Sequence, residues 1–130
     1  MEFRSLESGG FQVVAGSMPP KVEKLLLDIV LACDETAEFC RDKTWETFSQ
    51  DRLLQSAVER QFEIMGEALY RLEKIDLENL HLKIPDYRKI IGLRNLLAHG
   101  YDIVDNVALW DFVVTKVPDL KKKAQAYDGR

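Results

Sequence analysis

The amino-acid sequence predicts an all-α domain, a four- to five-helix up-and-down bundle. Three observations carry this. Beyond Pro20, apolar residues recur at alternating three- and four-residue spacing, the signature of amphipathic helices. β signals are weak: Asp-Gly occurs only at the C-terminal end, and no apolar-polar alternation persists. With 130 residues, 46% hydrophobic and 31% charged, the chain has material for one buried core and a charged surface.

The first helix is expected over Lys21–Arg41, with Val22, Leu25, Leu26, Ile29, Val30, Cys33, Ala37 and Cys40 on one face and Pro19-Pro20 setting its start. DKTWETFSQ follows as a loop, with Trp45 and Phe48 plugging the core and Ser49 or Asp51 capping the next helix. That helix should run from about Gln50 to Glu73. Gly66 in its interior costs about 1 kcal/mol against Ala, so its place there implies close approach by another helix. Beside the apolar face, Glu59, Glu63 and Glu67 form a stripe, read first as solvated surface and otherwise as partners for an arginine. KIDLENLHLKIPDYR is less regular, and Pro85 marks either a break or the first turn of a third helix. The third helix spans Asp86 to about His99 and meets a terminus or bend at Gly100. A fourth begins near Asp105, an N-cap, and Pro118 should kink or interrupt it before the basic tail.

Residues 1–17 read as an added leader, ending in Gly16-Ser17 before a second methionine, or else as a flexible arm; the domain is taken as 18–130. No apolar run approaches the roughly 18–20 residues of a membrane span, since LLLDIVLAC is broken by Asp28. Cys33 and Cys40 are seven positions apart in one helix, about 10 Å of rise, too far for a disulfide, which points to reduced core thiols and a cytoplasmic location. With two histidines, His81 and His99, and no Cys-x-x-Cys, neither a metal site nor a cofactor is expected. A net charge of −4 means that any nucleic acid must be held by a local patch. Lys83, Arg88, Lys89, Arg94, Lys116 and Lys121–Lys123 cluster in the C-terminal half, although the lysine run itself reads as a solvated helix end.

RNLLAHGY, residues 94–101, gathers an Arg, an Asn, a His and a Tyr on a leucine-rich helix. At about 100° per residue, Asn95 and His99 align one turn apart, and Tyr101 falls near Arg94 if the helix continues. An arginine fork grips phosphate, a neutral imidazole takes a proton near pH 7, and an amide orients either. Together they suit metal-independent phosphodiester cleavage in RNA, with His99 as base toward the 2′-hydroxyl and Arg94 stabilising phosphoryl charge. One histidine is hard pressed to be base and acid at once, and a two-fold dimer would supply the second. On spacing alone, capping carbonyls or pairing a carboxylate is the commoner role for such an Arg and His.

Arg94-Asn95-x-x-x-His99-x-Tyr101 resembles the Arg-x-x-x-x-His-x-Tyr signature of HEPN-domain ribonucleases, in the HepT toxin subgroup. AVERQFEIMGEAL (57–69) and RNLLAHGYDIVDNVALW (94–110) look like that family's second long helix and its signature region. The resemblance implies a HEPN-like homodimer formed through the motif helix, with two motifs facing one cleft. It implies a toxin endoribonuclease acting on transfer or messenger RNA, paired with an MNT-type nucleotidyltransferase antitoxin, MntA. Arg94 and His99 would be the catalytic pair, Asn95 their support, and Tyr101 the hydroxyl that receives AMP and silences the site. Glu63 and Glu67 are candidates to back the arginine. The alternative is a non-catalytic helical module that binds and regulates a nucleotidyltransferase.

Overall fold

The computed structural model describes residues 18–99 and 105–127. Among them every regular element is helical, as the apolar spacing requires. Helix α1 spans Pro20–Phe39; Pro20 at its first turn supplies a preset φ where no amide donor is needed. Its inner face, Val22, Leu26, Ile29 and Cys33, is almost wholly buried. The buried Thr36 hydroxyl donates to the Ala32 carbonyl at 2.8 Å, so its burial leaves no orphan donor. Asp42 then turns the chain with φ 61°, a left-handed conformation that Asp tolerates better than most residues.

The segment expected to be a loop contains a short helix, α2, Trp45–Gln50. Thr44 caps it, its Oγ1 accepting from the Thr47 N–H at 3.2 Å. Six residues are too few to display a period, which is why the spacing did not reveal it. Phe48 is fully buried, with its ring centroid 5.0 Å from that of Trp110, while Trp45 is half-buried at the edge of the same cluster. Of the two candidate caps for the next helix, Asp51 serves, accepting from the Leu54 N–H at 3.0 Å. The Ser49 hydroxyl instead donates back to the Glu46 carbonyl.

Helix α3, Arg52–Lys83, is the spine of the bundle, two helical segments joined at a kink close to the expected end near Glu73. Asp76 breaks it internally with φ −150° and ψ 46°. Its carboxylate accepts from Asn79 Nδ2 at 3.2 Å and from the Tyr127 hydroxyl at 2.7 Å, so the kink is tied to the C-terminus of the bundle. The break shifts the phase of the apolar face, and this is what made residues 74–83 look irregular. Val58, Phe62, Met65, Leu69 and Leu72 before the kink and Leu80 after it are fully buried. Each such side chain contributes about 1.5–3 kcal/mol of transfer free energy.

Pro85 marks a break: α3 ends at Lys83, and α4, Tyr87–Ala98, begins after a turn in which the Tyr87 N–H donates to the Ile84 carbonyl at 3.0 Å. Helix α5, Asn106–Asp111, is capped by Asp105, whose Oδ1 accepts from the Val107 N–H at 3.0 Å. It passes through a π turn, Phe112–Lys116, into α6, Val117–Gln125. Pro118 therefore does not interrupt the helix. The preceding turn has already widened, the Val117 N–H reaching back to the Phe112 carbonyl, and Pro118 sits in the first turn of α6. Helix α3 packs between α1 and α4, and α6 closes against α1 through Leu120 and Ala124. No described helix is long and apolar enough to cross a membrane.

Candidate active site

The site is built where α4 crosses α3. A Cβ placed on Gly66 would lie 2.7 Å from Arg94 Cγ, closer still to Arg94 Cβ, and 3.4 Å from the Ile90 carbonyl oxygen. The glycine therefore admits the stem of Arg94 itself, which gives the expected close approach a definite purpose.

Glu67, the next residue, receives the guanidinium that Gly66 lets in. Arg94 Nη2 donates to Glu67 Oε1 at 2.5 Å, and Arg71 Nε donates to Glu67 Oε2 at 2.8 Å. One carboxylate thus holds two arginines, Arg94 with 29% of its side chain exposed and Arg71 with 66%. Arg94 Nη1 also donates to Asn95 Oδ1 at 3.0 Å. A charged fork held on two sides is set in one orientation before any ligand arrives.

His99 follows α4 as its cap residue and is exposed. Its Nδ1 lies 2.7 Å from the Asn95 carbonyl oxygen, which can only accept, so Nδ1 carries the proton. In the neutral ring the lone pair is then on Nε2, and His99 stands one turn along from Asn95. Asn95 touches both members of the pair, Arg94 through its side chain and His99 through its backbone. Its sequence-predicted supporting position is thereby given a geometry.

The strip expected to hold four polar groups is resolved into two sides. Asn95 and His99 face outward, whereas Arg94 leans half-buried toward α3. Tyr101 and Gly100 lie outside the described residues. Of the acidic stripe, Glu67 meets Arg94, while Glu63 pairs with Arg60 at 3.6 Å and Glu59 with Arg52 at 3.8 Å. Arg71 was not anticipated, although Glu67 and Arg71 stand at the i, i+4 spacing that joins opposite charges on a helix. Among the described residues no group of three or more His, Cys, Asp or Glu side chains is arranged to hold a metal ion.

Several members of the C-terminal basic cluster are paired with carboxylates. Arg88 lies against Tyr87 and Glu73, Lys116 pairs with Asp86 at 3.2 Å, Lys121 with Asp34 at 2.6 Å, and Lys123 with Asp119 at 2.9 Å. Lys89 and Lys123 act on Asp86 together with Lys116, so part of the cluster gathers around one carboxylate. Cys33 and Cys40 are free thiols, Cys33 buried and Cys40 half-buried. Burial pushes the Cys33 thiol up to about 12, so it is no nucleophile at neutral pH.

Comparison with known proteins places this geometry. Residues 29–127 match the family model described as ribonuclease HepT-like. A Methanocaldococcus jannaschii protein named "putative RNase" is 32% identical over 104 residues, covering 80% of this chain and 94% of its own. A Thermococcus cleftensis protein named "probable ribonuclease HepT" is 39% identical over 98 residues, covering 75% of this chain and 87% of its own. A Caldanaerobacter subterraneus protein named "putative RNase" is 31% identical over 97 residues, covering 75% and 85%. No solved structure matches the chain at a significant level. The pinned arginine, the oriented histidine and the span of these matches lead to one statement: the chain belongs to the HepT-like ribonuclease family.

Proposed function

We propose that the protein is a toxin endoribonuclease that cuts transfer or messenger RNA without a metal ion, in a cleft shared by two copies of the chain. The observation that carries the reading is the linked trio of Arg94, Asn95 and His99, with the arginine anchored on Glu67 and the imidazole proton fixed on Nδ1. His99 Nε2 takes the proton of the ribose 2′-hydroxyl. The 2′-oxygen attacks phosphorus, the bond to the 5′-oxygen breaks, and the leaving oxygen receives a proton from the second copy's imidazolium. The products are a 2′,3′-cyclic phosphate and a 5′-hydroxyl end. Arg94 stabilises the negative charge that grows on the phosphoryl oxygens during this exchange.

The dimer forms through α4, whose outward positions Gly92, Asn95, Leu96 and His99 recur at helical spacing, with Leu96 52% exposed. A partner nucleotidyltransferase of the MNT type acts as antitoxin and transfers AMP to Tyr101. The added phosphate and bulk beside Arg94 and His99 would compete with RNA for the same charge. The setting is the cytoplasm, where Cys33 and Cys40 stay reduced.

The test uses purified, unmodified protein, RNA and a chelator. Cleavage leaving a cyclic phosphate end, lost in Arg94→Ala and in His99→Ala with helical content unchanged, is the expected result. Cleavage that persists in either variant would sink the mechanism. A wild type that cuts no RNA but binds the nucleotidyltransferase stoichiometrically would establish the non-catalytic module instead. For the switch, intact-mass measurement after incubation with active partner and ATP should show adenylyl additions that Tyr101→Phe abolishes.

A further inference from the structure

Four cations that the sequence does not bring together meet in one groove between α1 and α3. Lys21 and Lys24 come from the start of α1, Arg71 and Lys74 from the middle of α3, around a depression of about 650 Å³. Pro20, Leu25 and Ile75 give it apolar surface, and among the described residues Asp28 is the one carboxylate lining it. Lys24 spends its charge on Asp28, with contacts of 2.9 and 2.8 Å. Among the described lining residues four cations face one carboxylate, and even with Arg71 held by Glu67 the groove stays net positive in a chain whose net charge is −4. The positive end of the α1 dipole adds to the same sign.

The groove is linked to Arg94 through a shared carboxylate. Arg71 lines it and simultaneously holds Glu67, whose other oxygen holds Arg94. Glu67, Arg71 and Lys74 follow one another along a single face of α3, and seven residues of helix cover about 10 Å. The Tyr70 ring, 39% exposed, lies 4.6 Å from Lys74 Nζ, so an aromatic face stands beside the cationic rim. A positive groove with apolar and aromatic surface for bases is how proteins hold a single strand.

We infer that this groove carries the RNA strand leading away from the scissile phosphate, with Lys21 and Lys74 contacting backbone phosphates a few nucleotides from Arg94. The inference rests on the ribonuclease reading above. It makes the groove a substrate-binding element that sets affinity, while Arg94 and His99 set the chemistry.

The experiment compares Lys21→Glu/Lys74→Glu with wild type and with a charge-matched control, Lys43→Glu/Lys122→Glu, neither of which lines the groove. Binding is read by fluorescence anisotropy with a labelled 2′-O-methyl oligouridine, which lacks the attacking hydroxyl and stays intact. The groove variant should bind at least about tenfold more weakly, and its dependence of log K on log salt should flatten by about 1.4, the value for two lost single-strand phosphate contacts. Its KM for long RNA should rise by a similar factor with kcat retained, while a dinucleotide, too short to reach the groove, should be cut as by wild type. The control should stay within about twofold of wild type. Wild type that cleaves RNA while the groove variant keeps wild-type affinity and KM overturns the groove assignment alone. Wild type that neither binds nor cleaves overturns the parent reading and this one together. Charge reversal that spares RNA but abolishes binding of the nucleotidyltransferase would give the groove to a protein partner and overturn the proposal.

Discussion

Replacing Gly66 with Ala is the sharpest test of how the site is assembled. In an open helix interior the change would stabilise by about 1 kcal/mol, because Ala loses less backbone entropy. Here the new methyl would sit 2.7 Å from Arg94 Cγ, closer still to Arg94 Cβ, and 3.4 Å from the Ile90 carbonyl. A Cβ cannot swing aside as a side-chain tip can, so α4 itself must move away from α3. Overpacking of this kind costs about 1–3 kcal/mol, and a contact this short belongs at the upper end. The net effect is a loss of about 2 kcal/mol, a fall in Tm of roughly 5–10 °C for a domain of this size. Displacing α4 by an ångström also misplaces Arg94, at a cost of about 100-fold in kcat. Gly92 is the internal control: an added Cβ there has no atom within 4 Å, so Gly92→Ala should raise monomer stability by up to about 1 kcal/mol. Urea melts on both variants and cleavage rates on Gly66→Ala decide the matter. A Gly66→Ala protein as stable and as active as wild type would refute the account of α3–α4 packing.

Three further outcomes are expected. Glu67→Gln keeps the shape but removes the charge that Arg94 and Arg71 share; both partners are partly exposed, so stability should change by less than about 1 kcal/mol. Its kcat should fall about tenfold with KM unchanged or lower, because a loosened Arg94 still attracts phosphate, and an unchanged kcat would remove Glu67 from any positioning role. Native protein should react with a thiol reagent at Cys40 well before Cys33, which is 1% exposed and whose thiol burial holds near 12; equal rates would contradict the buried placement. The hydrogen bond and charge of Lys116 hold the Asp86 carboxyl below its usual range. A lowered folded-state pKa stabilises above the unfolded value and is lost as pH falls through the folded one. Urea midpoints should therefore drop more steeply below about pH 4 in wild type than in Asp86→Asn, and identical acid limbs would count against the pair.

Much of the bundle was legible because Leu26, Ile29, Phe62, Met65 and Leu69 repeat at helical spacing and do end up fully buried. Spacing failed where the period itself failed. Helix α2 is too short to show one, Asp76 resets it inside α3, and the π turn accommodates a proline that reads as a stop. At the site, Arg94, Asn95 and His99 were visible as a motif, and their mutual contacts follow from adjacency and from one helical turn. What linear order could not give was their setting across helices. Glu67 was only one of three equivalent glutamates until α4 was placed, and nothing in the sequence joins Lys21 to Lys74. The basic cluster was legible as composition, but not its pairing with Asp34, Asp86 and Asp119.

The wide turn at Phe112–Lys116 works as a phase shifter. One extra residue in a turn is about 100° of rotation, so α6 meets the bundle on a different azimuth from the one a uniform α-helix begun at Asn106 would deliver. Leu120, Ala124 and Tyr127 reach the core on that rotated azimuth, and Tyr127 fastens it by donating to Asp76 at the α3 kink. Two departures from ideal helix geometry, far apart in the chain, therefore act as a matched pair, lock and key of one another. Deleting a residue at 112–116 would turn the C-terminal helix's apolar face toward water, and straightening Asp76 would rotate residues 77–83 and cost Tyr127 its acceptor.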